Sequence, residues 1–315
     1  MTGVAGEPSE GRRITAIGGG HGLARTLDAL LLLSLEPTAI VTVADDGGSS
    51  GRLRQEHGVI ALGDMRMALQ TLAGADASWS RVFSHRFDEG DLQGHALGNL
   101  ILMALIQQHD DQVVAALSHA ANLLGCRGTV LPCTTDNVTL VAQVDGRVVA
   151  GQVAVATTTG RHRDVWLEPR SPRAAPQAVH AISAADVIVL GPGSLFTSII
   201  PNLLVPGISA AIARSSGKLI YVANMTGQPG ETTGMDLQDH VDALLSHLPQ
   251  DRRLTVLAHR GAPAAGSGQP LGSALDQSRL TALVTADLAT RRPDGTVLAA
   301  HDPKRLAQAL QPLLA

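Results

Sequence analysis

The chain has 315 residues, 44% of them hydrophobic and 17% charged. That balance suits a folded core large enough for a big α/β domain and excludes a disordered chain. A net charge of −4 with 2% aromatic residues speaks against nucleic-acid binding, which calls for a basic surface or stacking platforms.

The first twelve residues lack an apolar core, so they read as a loose tail rather than a signal peptide. Residues 13–315 read as a single domain. The leucine-rich "LDALLLLSL" is too short to span a bilayer. Cys126 and Cys133 form no C-x-x-C or zinc pattern, as expected of reduced thiols in a cytoplasmic protein. Only two lysines occur, Lys218 and Lys304. Phosphate contacts are therefore expected from arginine or from backbone N–H groups.

In chain order, "RITAI" predicts a first strand, followed by a glycine loop and a helix over 23–35 that Pro37 ends. "AIVTVA" at 39–44 predicts a second strand, giving a βαβ start and hence a parallel sheet. Helices are predicted over 63–72, over 95–107 and through "DDQVVAALSHAANLLG", with Gly125 as its C-cap. Asp145-Gly146 between two alternating segments predicts a type I′ hairpin within an antiparallel insertion over 137–168. A helix over 176–183 precedes "DVIVL", a continuous apolar strand typical of a sheet centre. "KLIYVAN", a helix over 236–248 and "LTVLAH" continue the alternation. Residues 261–277 read as a flexible loop. A strand near 281–284, a turn at "PDG" and a helix from Pro303, capped by Asp302, complete the chain. The fold class is thus a Rossmann-like three-layer α/β fold with a mainly parallel sheet and an inserted hairpin.

Three loops carry the chemistry. In "GGGHG", Gly18 and Gly20 start a dinucleotide fingerprint, but Leu23 stands where its third glycine belongs. What remains is a glycine loop at a helix N-terminus, an arrangement that binds anions. Gly18, Gly19, Gly20, His21 and Gly22 are its candidates. The second loop, "ADDGGSSGRLR", follows a strand end, where ligands collect in open parallel sheets. There Asp45 and Asp46 are candidates for a ribose hydroxyl or Mg²⁺, with Asp46 the candidate metal ligand. Gly47, Gly48, Ser49 and Ser50 supply donors, and Arg52 and Arg54 supply positive charge. The same stretch holds a literal G-x-S-x-G, but its preceding aspartates oppose a nucleophilic Ser49. The third loop, Gly191-Pro192-Gly193-Ser194, reads as a second anion site, with Asn224 completing the crevice. Asn99, Asn137 and Asp64, the last also a helix N-cap candidate, complete the set.

Together, "IGGGHGLAR", "VTVADDGGSSGRLR", "LGDMR", "HALGNLIL", "TTDNVTL" and "DVIVLGPGSLFTSIIPNLL" resemble the YvcK group of gluconeogenesis factors. That group lies within the wider superfamily of CofD-like 2-phospho-L-lactate transferases. The resemblance runs from about residue 13 to the end. It implies a Rossmann-like sheet and binding of a nucleotide sugar, UDP-N-acetylglucosamine or UDP-glucose. It also implies a role in cell shape and wall-precursor metabolism under gluconeogenic growth, and it places the pyrophosphate at Gly19, Gly20, His21 and Gly22. His21 replaces the threonine usual in the group, and Ala300 replaces a basic residue before His301-Asp302. The leading expectation is a cytoplasmic sensor without turnover. It requires no cofactor, with Mg²⁺ as an optional metal, and it signals to an envelope-synthesis partner, with homo-oligomerisation left open. The alternative is a metal-dependent transferase using Asp45 or Asp46. A dinucleotide oxidoreductase is disfavoured by the broken fingerprint.

Overall fold

The computed structural model describes residues 11–74, 78–160, 162–261, 270–272, 275–276 and 278–315. Residues 1–10 of the expected tail and most of the expected loop at 261–277 lie outside the described residues.

The elements are β1 (Ile14–Gly18), α1 (Gly20–Leu32), β2 (Thr38–Val41), α2 (Gly48–His57), α3 (Gly63–Ala73), α4 (Ser78–Ser84), α5 (Leu97–Gln108) and α6 (Val113–Leu124). They continue with β3 (Thr129–Pro132), β4 (Thr139–Val144), β5 (Arg147–Ala150), α7 (Gln152–Thr157), β6 (His162–Glu168), α8 (Pro176–Ala184) and β7 (Val187–Leu190). A π-helical turn (Leu195–Ile199) leads into α9 (Ile200–Leu203) and α10 (Pro206–Arg214). The chain closes with β8 (Lys218–Val222), α11 (Leu237–Ser246), β9 (Leu254–His259), β10 (Leu280–Ala286), β11 (Ala289–Arg291), β12 (Val297–His301) and α12 (Pro303–Leu314).

Seven strands form one parallel sheet in the order β10-β9-β8-β7-β1-β2-β3. β1 and β7 are buried at every position, as the unbroken apolar run of β7 requires of a central strand. Their pairing runs Ile14↔Val187 to Ile17↔Leu190. The chain builds outward from β1 to β3 on one side, then restarts at β7 on the other. β1 and β7 therefore flank the topological switch point, where successive loops leave toward opposite faces and open a crevice.

The insertion is a three-stranded antiparallel sheet in the order β5-β4-β6. Asp145 and Gly146 turn its hairpin with φ of 46° and 82°, the two positive values a type I′ turn needs. The segment after β5, read as strand from its alternation, is instead α7. Gly151 takes φ 102° and breaks the strand. The Asp46 carboxylate then accepts the Gln152 and Val153 N–H groups, each at 2.9 Å.

The acidic loop differs from expectation in the same way. From Gly48 it becomes helix α2, so Ser49, Ser50 and Arg52 are helical. This helix buries only Ser49, Ser50 and Leu53. It has no apolar stripe by which periodicity reveals a helix. α1 begins at Gly20, three residues before the predicted start, which places His21 and Gly22 in its first turn.

Candidate functional site

A cavity of about 280 Å³ opens at the switch point. Its wall includes Gly19, Gly20, His21 and Gly22 from the β1–α1 junction, and Gly193, Ser194, Thr197 and Ser198 from the β7 exit. Asp45, Asp64, Gln152 and Gln228 complete it. Three predicted loops thus converge, as open parallel sheets dictate.

The first loop has the geometry of an anion cradle. Gly20 has φ +58°, a left-handed conformation that glycine adopts without strain. Gly22 lies so close to the second loop that a Cβ there would meet the Pro192 carbonyl oxygen at 1.7 Å. The N-cap residue of α1, Gly19, has no side chain with which to cap it. The N-terminal N–H groups and positive dipole end of the helix are therefore presented to the cavity, apart from the Gly20 N–H, which Asp64 accepts. His21 is exposed at the mouth.

The acidic residues divide their work. Asp45 lines the cavity, and its Oδ1 accepts the Gly47 N–H at 3.0 Å. Asp46 faces a separate outer groove, with Gly48, Arg52, Arg54 and Asn137, and both its oxygens serve α7. Asp64 is not an N-cap. Leu62 holds that position, and Asp64 points from the first turn of α3 into the cavity floor. Burial, and then the neighbouring Asp45 charge, push its pKa up to about 7. The Gly20 N–H and Arg66 pull it back only in part. The cavity therefore holds one carboxyl group, that of Asp64, which resists ionisation. Among the described residues, no group of three His, Cys, Asp or Glu side chains forms a metal cage.

The second loop departs from the sequence reading. Its helix start already carries an internal anion, the buried Glu231 carboxylate. Glu231 accepts the Phe196 N–H at 2.6 Å, the Thr197 N–H at 3.1 Å and the Thr197 hydroxyl at 3.1 Å. Asn224 does not reach into the cavity but clamps the loop. Its Oδ1 accepts the Gly193 N–H at 3.0 Å, and its Nδ2 donates to the Gly193 carbonyl at 2.8 Å. Gln228 donates to Ser194 Oγ at 3.0 Å. One loop, 224–231, thus holds the other in place. Gly191 lies behind the cavity and extends the β1–β7 ladder through its N–H to Ile17 O at 3.0 Å. Gly18 is likewise buried, paired with Val41 of β2.

The remaining candidates brace the site. Ser49 is 4% exposed and accepts from Asn99 Nδ2 at 3.1 Å and from the Ala96 N–H at 3.4 Å. Its own hydrogen is left for His95 Nδ1 at 3.2 Å. Burial, and next Arg52, depress the His95 pKa. This is a Ser–His pair without substrate access, which removes the hydrolase reading. Asn99 also accepts from Arg66 Nε at 3.0 Å. Arg52 donates to the Gln93 carbonyl. Arg54 donates to the Asp45 carbonyl at 2.9 Å and to Asn137 Oδ1 at 2.8 Å, fixing the acidic loop to the insertion. Sequence reasoning missed Gln152, Gln228 and Glu231. Gln228 and Glu231 stand in "MTGQPGETTG", directly after a buried strand, and that position was the available signal.

Residues 14–287 match the family described as 2-phospho-L-lactate transferase CofD. The putative gluconeogenesis factor of Mycobacterium tuberculosis is 47% identical over 248 residues, spanning 75% of this chain and 72% of that protein. The gluconeogenesis factor of Bacillus subtilis is 43% identical over 238 residues, spanning 75% of each. The crystal structure of a UPF0052 family protein from Bacillus halodurans superposes with a TM-score of 0.86 at 32% identity, covering 95% of this chain and 98% of that one.

Proposed function

The chain belongs to the CofD family and is a homologue of the gluconeogenesis factors, and from that premise we propose that it binds a nucleotide sugar as a cytoplasmic regulatory protein. UDP-N-acetylglucosamine and UDP-glucose are the proposed ligands, with the diphosphate on the first turn of α1. The observation that carries this reading is the pairing of a helix N-terminus that opens on the cavity with the close approach at Gly22. Asp45, with Asp64, would hold Mg²⁺ beside the phosphates. Two carboxylates, with water and phosphate oxygens filling the other positions, suit this ion. Through this site the protein would report wall-precursor supply to a protein partner in envelope synthesis and so influence cell shape.

A second reading, a metal-dependent transferase with a nucleoside-diphosphate donor, draws on the same carboxyl pair. Thermal shift with UDP-sugars, GDP and NAD, each with and without Mg²⁺, separates the two. Specific ligands stabilise the folded state in proportion to the logarithm of their saturation. Stabilisation by a UDP-sugar that is recovered intact after prolonged incubation supports the regulatory reading. Metal-dependent consumption of a GDP-linked donor would replace it with the transferase.

A further inference from the structure

Asn202 is fully buried at 0% exposure, 184 residues from the strand it touches. Its Nδ2 donates to the Gly18 carbonyl at 3.2 Å and to the Ser198 carbonyl at 2.8 Å. Gly18 ends β1 and leads into the glycine cradle. Ser198 belongs to the π-helical turn and lines the opposite wall of the cavity. A single NH₂ group therefore ties the residue just before one wall to a residue of the other. Among the described residues, no hydrogen-bonding side chain other than Asn202 joins the β1 exit directly to the turn after β7.

The local sequence explains why this amide is there. Pro201 has no N–H to donate back along the helix, and its ring crowds the carbonyl one turn earlier. The backbone widens into the π-helical turn at Leu195–Ile199, a distortion common at functional sites. On the other side of the switch point, the Gly18 carbonyl receives the Thr42 N–H at 3.0 Å. The ladder toward β7 stops one residue earlier, at Ile17. The Gly18 carbonyl therefore accepts twice, from the Thr42 N–H beside β2 and from the Asn202 amide. Among the described residues the Asn202 Oδ1 meets no hydrogen-bond donor, so there the side chain is held through its donors alone.

We propose that Asn202 is a positioning residue that sets the spacing of the two cavity walls and thereby the geometry of the anion cradle. The affinity part of this proposal rests on the diphosphate reading above; the spacing part does not. The test is Asn202→Leu, which keeps the volume and removes both donors, with Asn202→Ser as the second variant should the first not fold. Hydrogen exchange of the ligand-free protein is the first measurement. Peptides covering 14–23 and 191–203 should both exchange at least tenfold faster, while those covering β8 and β9 stay unchanged. Unchanged exchange in both peptides would overturn the proposal, whatever the ligand. The second measurement is calorimetric affinity for UDP-N-acetylglucosamine with Mg²⁺. It should weaken at least tenfold while the urea midpoint moves little, a split that a purely structural residue does not give. Wild-type affinity in a variant with accelerated exchange would also overturn it. A wild-type protein that fails to bind would sink the nucleotide-sugar reading, and the exchange result would then decide the spacing alone.

Discussion

Glu231 and Thr197 are bound twice, for the carboxylate accepts both the Thr197 N–H and the Thr197 hydroxyl at 3.1 Å. The helix start after the second glycine loop thus has its negative charge built in. The proposed diphosphate is for that reason assigned to the first loop.

Removing that charge should be costly. Glu231→Ala strands two N–H groups and a hydroxyl in the interior, and each unsatisfied buried donor costs roughly 1–3 kcal/mol. We expect a loss of about 3 kcal/mol in urea unfolding. Glu231→Gln keeps one acceptor oxygen and should lose about half as much. An alanine variant with the wild-type midpoint would contradict the assignment.

Asp45 and Asp46 should separate cleanly. Asp46→Ala removes the cap of α7 and should lower stability by about 1 kcal/mol, leaving any Mg²⁺ dependence of ligand binding intact. Asp45→Asn should do the reverse, with near-native stability and no Mg²⁺ effect in calorimetry. If Asp46→Ala alone abolished the metal effect, the cavity would have been assigned to the wrong carboxylate.

Asp64 predicts a pH dependence. Its folded pKa, about 7, lies above the ordinary 3.8, so the fold favours the protonated form. The group's contribution is therefore most favourable below pH 3.8, declines as pH rises to about 7, and is flat above that. Asp64→Asn removes the penalty. The variant should match wild type near pH 4 and exceed it at pH 8. At about 1.4 kcal/mol per pKa unit the gain is less than about 4 kcal/mol, because solvent reaches part of the carboxylate. Unfolding at the two pH values measures it. Equal stability of the two proteins at pH 8 would refute the shift.

Two glycines offer a paired comparison. Gly22→Ala drives a methyl into the Pro192 carbonyl and should cost about 3 kcal/mol, the upper range for overpacking, with loss of ligand affinity. Gly48→Ala meets no atom within 4 Å but keeps φ +46°, so its cost is the left-handed backbone alone, about 1 kcal/mol. Similar costs for the two would deny the close approach of the loops.

The sheet was legible because β1, β7 and β8 are short, largely apolar runs, the first two with clear glycine exits. The hairpin was legible because Asp-Gly at 145–146 admits few other turns. Helices α2 and α7 were not, for different reasons. α2 buries serines, and its stabilising partners, His95 and Asn99, lie some fifty residues away. α7 has a strand-like pattern and is started by Asp46, more than a hundred residues earlier. The same limit applied to the site. Glycine loops announce themselves locally, whereas Glu231, Asn224 and Asn202 act on loops remote in sequence. A propensity or a motif window does not contain such a partner.

The bond between Gly18 and Asn202 also fixes when the site can exist. β1 leaves the ribosome long before β7 and the turn that follows it. At about 5–20 residues per second, the 184 residues between these partners take roughly 10–40 s to synthesise. Through that interval the glycine cradle has no opposite wall, and β1 has one hydrogen-bonding edge unpaired. The nascent amino-terminal half is therefore blind to any ligand of this cavity, and that strand edge stays open until β7 is made.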